Sequence, residues 1–471
     1  MANGCTVGNL LFLEKILRVQ PNVKKIFLLI RETPKRSVEQ RLQEEVVDIE
    51  LFRVLREKWG EEDFNSILLP KIIPVSGDVS HENLGIVNSE LREEMWREID
   101  IIVNSAATTK FDERYDVAFG INVLGAMHVQ DFASKCPKLE MLLHVSTGLI
   151  PEKPLHMGET LAGSEIPILD MDEEKKIIEE RLKGFLTQKL TDKEISRVMK
   201  DLGVERAMLH GWPNTYVFTK AMGEMVLEKF KEKVNVVIIR PTIITSTYKE
   251  PFPGWIEGLR TLDSIFVAYG KGKLKFFVGD PQSTLDMIPG DMVVNCMITA
   301  IATHSNNKHD LCVYHVGSSR RNPMKYETIK WLMHHYLTEN PLLDSKGKPI
   351  RIGKPTTLNT MASFHNYIAI HYLPFLKVLK LINIMFCNYF EILYTNARRK
   401  INHALRLAEL YKPYLFSQAI FDDANTENLR MTIQGNNMNM DMLNFDPKSI
   451  QWDEYFVKTH FMGIAKFVLN D

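Results

Sequence analysis

Apolar and polar residues alternate along the first two thirds of the chain in a way that predicts short strands separated by amphipathic helices. Five runs rich in Ile, Val and Leu predict strands at 26–30, 72–75, 99–104, 141–146 and 234–239. Apolar positions with helical spacing predict helices at 10–19, 38–59, 117–134 and 216–231. Strands that alternate with helices are typical of an α/β protein with a Rossmann-like, doubly wound parallel sheet.

Three changes in this pattern predict the domain organisation. The segment 171–202 is rich in charge and helical in spacing, so we expect an insertion there, either a lid or a plain solvated helical hairpin. Prolines and glycines concentrate in 241–290 and predict loops that line a substrate pocket. The Gly, Pro and Lys-rich stretch 346–358 predicts a linker between a Rossmann-like domain at 1–345 and a mostly helical domain at 359–471.

The composition narrows the class of protein. The chain has 471 residues, 45% of them hydrophobic, and a formal net charge of −1, so it can bury a large core and shows no positive excess that would indicate a nucleic-acid partner. Its five cysteines are scattered, without zinc-ligand spacing, which indicates reduced thiols in an intracellular protein and no metal site. The amino-terminal residues show no pattern of a secretory signal.

The most apolar region, 367–394, is interrupted by Lys377, Lys380 and Glu391. Its uncharged runs are shorter than the ~20 residues that a membrane-spanning helix requires, so we expect no spanning helix. Two interpretations remain for this region. It forms a buried helix pair in the C-terminal domain, or it makes peripheral contact with a membrane interface.

A tyrosine and a lysine four residues apart, Tyr216 and Lys220, carry the first chemical signal. This spacing places both on one face of a helix, where the ammonium can favour the phenolate of a tyrosine whose ordinary pKa is ~10. Ser146 and Thr147 stand at the carboxyl end of a predicted strand, the edge that faces the ligand crevice in parallel sheets. These residues can orient and protonate a carbonyl group. The alternative is a strand-end cap and a helix with a solvated lysine.

Longer motifs surround these residues. They are EKILRVQPNVKK before the first strand, GDV at 77–79, NSAATTKFDERYD from Asn104, INVLGA from Ile121, HVST from His144, GWPNTYVFTKAMGE from Gly211, RPTII from Arg240 and EPFPGWIEG from Glu250, followed near the end by YKPYLFSQAIFDDANTENLR and FDPKSIQWDEYF. On these motifs, which cover nearly the whole chain, the sequence resembles the plant alcohol-forming fatty acyl-coenzyme A reductases of the extended short-chain dehydrogenase/reductase superfamily.

The resemblance implies roles for individual residues. Thr147, with Ser146 as the second candidate, positions the carbonyl, Tyr216 donates the proton, and Lys220 supports Tyr216 and a cofactor ribose. For the cofactor it implies Asp78 near the adenine and crevice contacts from Asn104, Ala106, Asn122, Lys220 and Pro241.

The preferred cofactor follows from Arg31. This residue succeeds the strand 26–30, where NAD enzymes usually carry an acidic residue for the ribose hydroxyls. An arginine there suits a 2′-phosphate, so we expect NADPH, although Glu32 follows it directly and a surface arginine is the alternative.

The activity that the resemblance implies is reduction of a long-chain acyl-CoA, through an aldehyde, to a primary alcohol of wax, cutin or suberin metabolism. We expect an intracellular protein, cytoplasmic or peripheral to the endoplasmic reticulum membrane. Two other functions stay open. One is a catalytically impaired homologue that binds acyl chains or reductase partners, and the other is a superfamily reductase or epimerase acting on a different carbonyl substrate.

One family segment is not found in the sequence. The family begins with an apolar strand and a glycine-rich turn of the TGxxGFL type, whose amides hold the cofactor pyrophosphate. Counting back from EKILRVQPNVKK places that turn at 2–9, where Gly4 and Gly8 are present without the family spacing. We expect a first strand that is missing or replaced, because the sequence begins too late, because 1–7 substitute for it poorly, or because the protein is a noncatalytic relic.

Overall fold

Buried apolar strands and the helices between them build the described part of the molecule, a computed structural model that describes residues 7–148, 155, 169–188, 190–304, 310–435 and 442–469. The strands are β1 (Ile26–Ile30), β2 (Ile72–Ser76), β3 (Ile101–Asn104), β4 (Met141–Val145), β5 (Asn235–Pro241), β6 (Ile243–Thr245), β7 (Phe276–Val278), β8 (Thr284–Leu285), β9 (Met287–Pro289), β10 (Leu311–Val316), β11 (Met324–Lys325) and β12 (Thr356–Leu358).

The α-helices come in the following order. They are α1 (Val7–Val19), α2 (Val38–Leu42), α3 (Arg53–Trp59), α4 (Glu61–Asp63), α5 (Ser89–Glu98), α6 (Tyr115–Phe119), α7 (Gly125–Ala133), α8 (Met171–Gln188), α9 (Asp192–Leu209), α10 (Thr215–Glu228), α11 (Thr261–Gly270), α12 (Gly290–His304), α13 (Tyr326–Glu339), α14 (Met361–His371), α15 (Leu373–Met385), α16 (Glu391–Leu415), α17 (Ala424–Gly435), α18 (Trp452–Tyr455) and α19 (Phe461–Phe467).

A parallel sheet in the order β10-β5-β4-β3 forms the centre of the fold. All seven residues of β5 are buried, as expected for an apolar strand covered by helices on both faces. The predicted α/β, Rossmann-like class is confirmed. Because the strands are parallel, the carboxyl ends of β3, β4 and β5 meet at one edge, where doubly wound folds bind their ligands.

The remaining large strands form a second sheet. β1 and β2 pair in parallel, with Ile26 opposite Ile72, and within the described ranges no strand joins β1 to β3. Side chains from both sheets nevertheless share one hydrophobic cluster that contains Val75 of β2 together with Leu142 and Val236 of the central sheet. The described residues thus contain a Rossmann-like sheet in two parts.

The charge-rich segment after β4 forms a helical hairpin, α8 and α9, that continues to Leu209. It packs against the helix α10, because Met199 and Leu202 of α9 share a hydrophobic cluster with Val217 and Phe218 of α10. Glu174 of α8 is buried and accepts hydrogen bonds from Arg206 of α9 and from Tyr115 of α6. The hairpin is therefore attached to the element that carries Tyr216.

The predicted linker 346–358 contains a strand. β12 lies at its end and pairs in parallel with β7 in a two-stranded sheet, with Leu358 opposite Val278. The last helices also return to the main core, where Phe461 stacks on Phe266 at 4.4 Å. Gly463 approaches Gly254 so closely that a Cβ there would lie 2.0 Å from the Gly254 carbonyl oxygen. The C-terminal segment and the loops after β5 share one core.

Candidate active site

The helix α10 presents Tyr216 toward the carboxyl end of β4. Asn214 precedes the helix and its side-chain oxygen accepts the Val217 amide at 3.0 Å, so an N-cap fixes where the first turn begins. This places Tyr216 in the first turn, where its phenol lies beside the Thr147 side chain, and hydrogen bonding from that side chain lowers the pKa of the phenol. The structure brings together the predicted hydroxyl and the predicted proton donor.

The environment of the Tyr216 phenol favours its protonated form. Burial raises the pKa of Tyr216, and the hydrogen bond with Thr147 and the charge of Arg260 lower it against that effect. The sequence predicts that the charge of Lys220 lowers the pKa of Tyr216. In the structure the charge of Arg260, which stands directly before α11, has this effect. A phenol that is neutral at pH 7 can donate a proton to a carbonyl oxygen.

Lys220 is buried, and its amine faces the strand β4. Its Nζ donates to the Val145 carbonyl oxygen at 2.7 Å and lies 3.2 Å from Nε2 of His144. Burial lowers the pKa of Lys220 to about 8, against the charge of Glu224 one helical turn away, which raises it. Lys220 is therefore bound to the strand that carries the hydroxyls rather than to solvent.

His144 connects Lys220 to a second crevice residue. Burial and the charge of Lys220 hold the pKa of His144 well below its ordinary value, so the ring is neutral and Nε2 accepts from the ammonium. The other ring nitrogen, Nδ1, lies 3.0 Å from Nδ2 of the Asn104 side chain. Asn104, His144 and Lys220 form one buried chain of hydrogen bonds.

Asn122 ties the crevice loop to the catalytic helix. Its Oδ1 accepts the Thr108 amide at 3.1 Å, and its Nδ2 donates to Thr219 Oγ1 at 2.9 Å. This holds the loop that contains partly buried Ala106 against α10. The described hydrogen bonds of Asn122 are thus with protein groups, and its predicted contact with the cofactor stays a prediction.

Two further predicted residues lie at the same edge of the sheet. Ser146 is buried, and its hydroxyl has no hydrogen-bond partner among the described residues, whereas its amide pairs with the Ile239 carbonyl at 2.7 Å. Pro241 ends β5, and its carbonyl accepts the Gly148 amide at 2.9 Å. A buried hydroxyl without a partner is available to a bound ligand.

On the other sheet, Arg31 and Asp78 lie together. Arg31 follows β1, Asp78 follows β2, and Arg31 Nε is 3.0 Å from Asp78 Oδ2. Burial raises the pKa of Asp78, but hydrogen bonds from Ser80 and the charge of Arg31 outweigh it and lower the pKa overall. Both residues are partly exposed, so the pair remains open to a ligand.

Of the two glycines predicted to contact the pyrophosphate, the structure describes only Gly8. Gly4 lies outside the described residues. Gly8 stands in the first turn of α1, and no heavy atom of the described residues lies within 4 Å of the position that its Cβ would occupy. Its neighbour Asn9 contacts Ser105 at the carboxyl end of β3. The start of α1 therefore lies next to the crevice.

These residues fit a nicotinamide dinucleotide at both ends of the crevice. The Ser146 hydroxyl, which has no partner among the described residues, and the amine of Lys220 lie at one end, and the partly exposed Arg31–Asp78 pair lies at the other. Gly8 lies in the first turn of α1, which contacts the crevice through Asn9, and a helix N-terminus there suits a pyrophosphate.

The C-terminal domain completes the wall of the site, which the sequence patterns did not predict. The ring of Phe111 stacks between the rings of Tyr216 and Tyr414 of α16. The distances from the Phe111 ring centroid to theirs are 5.7 Å and 5.1 Å. The Tyr414 hydroxyl also accepts from the Asn214 side chain at 2.9 Å. Arg406 of α16 makes two hydrogen bonds to Asp112, next to Phe111.

The site residues that the sequence patterns did not predict differ in how strongly the local sequence marks them. His144 is the one charged or polar residue in an otherwise apolar strand, which is a usable signal. The contacts of Tyr414 join segments that are far apart in the chain, since 200 residues separate it from Asn214, so no local pattern predicts them.

Comparisons with known proteins agree with this geometry. Residues 7–297 match a nicotinamide dinucleotide-binding family described as male sterility protein, and residues 370–471 match the sterile family with the same description. The fatty acyl-CoA reductase 1 of Arabidopsis thaliana is 51% identical over 466 residues, which cover 97% of this chain and 94% of that protein. The alcohol-forming fatty acyl-CoA reductase of Simmondsia chinensis is 47% identical, covering 98% and 94%.

Among solved structures, the reductase domain of a nonribosomal peptide synthetase from Mycobacterium tuberculosis superposes with a TM-score of 0.56, covering 98% of this chain and 90% of that chain. At 16% identity this likeness shows the fold alone. The first family shows that the chain has a nicotinamide dinucleotide-binding domain. By sequence identity over nearly its whole length, with a phenol and a hydroxyl joined at the edge of a parallel sheet, the chain belongs to the fatty acyl-CoA reductase family.

Proposed function

We propose that this protein reduces long-chain fatty acyl-CoA to a primary alcohol, through the aldehyde, with NADPH. The observation that carries the proposal is the placement of the Tyr216 phenol beside the Thr147 side chain at the carboxyl end of β4. It occurs in a chain that is 47% identical to a protein named as an alcohol-forming reductase. The alcohol requires two reductions at one site, and the bound cofactor supplies the hydride in each.

In the first reduction the two hydroxyl groups bind the thioester carbonyl. Tyr216 and Thr147 both can donate hydrogen bonds to the oxygen on which negative charge develops, and the Ser146 hydroxyl, which lacks a described partner, can add a third. Loss of coenzyme A as the thiol then leaves the aldehyde. Phe111 and Tyr414 form an apolar wall beside the phenol.

In the second reduction Tyr216 acts as the acid. Its neutral phenol transfers a proton to the alkoxide as the alcohol forms, and Arg260 stabilises the resulting phenolate. Lys220, held by His144 and the Val145 carbonyl, carries a positive charge at the bottom of the same crevice. We assign it to the cofactor ribose.

The preference for NADPH rests on Arg31. Its guanidinium stands after β1, at the position that faces the ribose in this fold, and it is partly exposed despite the ion pair with Asp78. A bound 2′-phosphate gains a bidentate partner there.

The test is stoichiometry with the full chain. Incubation with a long-chain acyl-CoA and NADPH is expected to yield one primary alcohol and one free thiol for every two NADPH oxidised. Binding of NADPH and acyl-CoA without oxidation of NADPH would instead show the catalytically impaired homologue. Oxidation of NADPH with a different carbonyl compound, but not with acyl-CoA, would show that the protein is another reductase of the superfamily.

We propose a cytoplasmic location or one on the cytoplasmic surface of the endoplasmic reticulum. All four described cysteines, Cys136, Cys296, Cys312 and Cys387, are free thiols, which suits a reducing compartment. Fractionation of cells that express the tagged chain is expected to place it in the cytosol or on microsomes. Recovery from the secreted fraction would contradict the proposal.

A further inference from the structure

The largest group of exposed apolar side chains lies in the C-terminal domain. It covers α15, the turn that follows it and the first turn of α16, and we name it the apolar tip. Its members that are more than half exposed are Phe375 (56%), Val378 (54%), Leu381 (61%), Ile384 (60%), Met385 (77%), Phe386 (59%), Tyr389 (82%), Ile392 (79%) and Leu393 (54%). Soluble proteins rarely leave so many contiguous large apolar residues in water.

We propose that the apolar tip inserts into one leaflet of an anionic lipid bilayer and so docks the enzyme on a membrane. Its exposed aromatic rings, such as Tyr389 and Phe386, suit the boundary between headgroups and acyl chains. This inference stands on the exposed surface and does not require the proposed reaction.

The charges around the tip complement a negative surface. Residues 373–400 contain five basic side chains and one acidic one, Glu391. That carboxylate is engaged locally, since it accepts from the Asn383 amide at 2.7 Å and from the Thr395 hydroxyl at 2.9 Å. The exposed basic residues of the group are Lys377, Lys380, Arg398, Arg399 and Lys400. Clusters of this size next to an apolar helix bind anionic headgroups.

The same charges argue against a second copy of the chain as the occupant. A two-fold symmetric contact through the apolar tip would bring two copies of one surface together. Both copies would carry the same excess of four positive charges, five basic minus one acidic, into the contact. Like charges in one interface oppose association.

The attachment of α14 indicates insertion rather than a span. By length and composition, Met361–Met385 is the one segment in the described ranges that could cross a membrane, and 17% of its most apolar window is buried. However, Phe364 and Ile368 of α14 are buried in a cluster with Phe276 of β7, which fixes this half of the segment to the protein body. Only the α15 half is free to enter lipid.

The far end of α16 fixes the tip relative to the active site. Arg406 is bound to Asp112 and Asp201, and Tyr414 to Asn214, so the helix that starts in the tip ends against the catalytic residues. Amphiphilic substrate and product would thus be exchanged with the leaflet on which the enzyme sits.

The experiment is flotation of the purified full chain with vesicles of phosphatidylcholine alone and of phosphatidylcholine with about one third phosphatidylserine. The wild-type protein is expected to float with the mixed vesicles, at least tenfold more than with the neutral ones. A variant combining Phe375→Ser, Leu381→Ser and Phe386→Ser is expected to lose at least tenfold of this binding. The matched control, Val87→Ser with Trp331→Ser, changes residues that are also exposed, at 93% and 55%, but lie outside the tip, and it should float as the wild type does.

A second variant tests the charges. Arg398→Glu with Arg399→Glu and Lys400→Glu is expected to abolish the preference for phosphatidylserine, while Lys175→Glu with Lys183→Glu on α8 preserves it. All these side chains are exposed, so unchanged thermal midpoints will show that each variant is folded.

Three outcomes would overturn the inference. They are no flotation of the wild type with either vesicle, undiminished flotation of the serine variant, and a wild-type dimer that the serine variant converts to a monomer. Protein that resists alkaline extraction and requires detergent would contradict insertion into a single leaflet.

Discussion

The two ends of the cofactor crevice differ in how they are held. At the end that we propose for the nicotinamide, Lys220, His144, Asn104 and Ser146 are all buried, and the nearby pair Arg240–Glu224 is completely inaccessible to water. At the end that we propose for the adenosine, the pair Arg31–Asp78 is partly exposed, with 32% and 19% of the two side chains accessible. The difference indicates that the fold preorganises the proposed reacting groups and leaves the proposed discrimination between cofactors to side chains that can rearrange.

The largest effect is expected from removing the phenol. Tyr216→Phe keeps the ring stacked on Phe111 but removes the proton donor and its hydrogen bond with Thr147. We expect kcat to fall by ~10²–10⁴-fold with little change in NADPH affinity. Acyl-CoA and the corresponding aldehyde should be assayed separately, together with NADPH binding by fluorescence. Unchanged turnover of the aldehyde would show that Tyr216 is not the proton donor.

Breaking one ion pair at each end tests the comparison directly. Glu224→Gln leaves Arg240 buried without its counter-charge, which we expect to lower the free energy of unfolding by about 3–5 kcal/mol. Asp78→Asn is the matched change at the exposed pair and should cost about 0–1 kcal/mol. Urea denaturation measures both. Equal losses would show that the two ends are held alike.

Raising the pH through the pKa of Lys220 is expected to move activity and stability in opposite directions. Burial lowers this pKa from 10.5 to about 8, so above pH 8 the native amine loses its proton while the unfolded chain keeps it. The native protein then binds fewer protons than the unfolded one, and this group's contribution to stability rises with pH up to 10.5. Activity falls in the same window because the crevice loses its cation.

The control for this prediction is Lys220→Met. The difference in thermal midpoint between wild type and this variant should grow in favour of the wild type as the pH rises above 8. A constant difference would mean that Lys220 does not titrate there.

The smallest effect is expected at Arg31. Arg31→Gln removes the proposed partner of the 2′-phosphate, and we expect the KM for NADPH to rise by about tenfold, equivalent to ~1.4 kcal/mol. The KM for NADH should change less than about twofold, since NADH has no 2′-phosphate. Steady-state kinetics with both cofactors measures this, and Arg36→Gln, another exposed arginine nearby, serves as the control. A matching rise for both cofactors would contradict the assignment.

Local patterns predicted the buried strands well and the irregular segments poorly. β1 has the predicted bounds, and the other four predicted strands differ by one or two residues at their ends, because runs of Ile, Val and Leu between turns have few alternatives. The predicted helix 38–59 is instead broken, since Ile49 adopts an extended conformation between two short helical pieces. The strand β10, with Tyr314 and His315 in its interior, was missed.

The same limit applies to the site. Tyr216, Thr147 and Ser146 could be predicted because each follows a strand or opens a helix, positions that local spacing identifies. Arg260 and Tyr414 could not, because they reach Tyr216 and its neighbours only through tertiary packing. Lys220 shows the intermediate case, in which helical spacing predicts its position on the helix but not its bond to His144.

The helix α16 determines the direction in which the apolar tip faces relative to the Tyr216 phenol. Its 25 residues form one rod about 37 Å long, with Ile392 and Leu393 at one end and Tyr411 and Tyr414 at the other. Inserting a single alanine after Asn396 would advance the first turns by 1.5 Å, a small displacement, but rotate them by about 100° relative to the anchored end. The apolar face would then point along the protein surface instead of outward. Inserting four residues would nearly restore the original orientation. The number of residues in α16, as well as its side chains, therefore determines the direction in which the apolar tip faces.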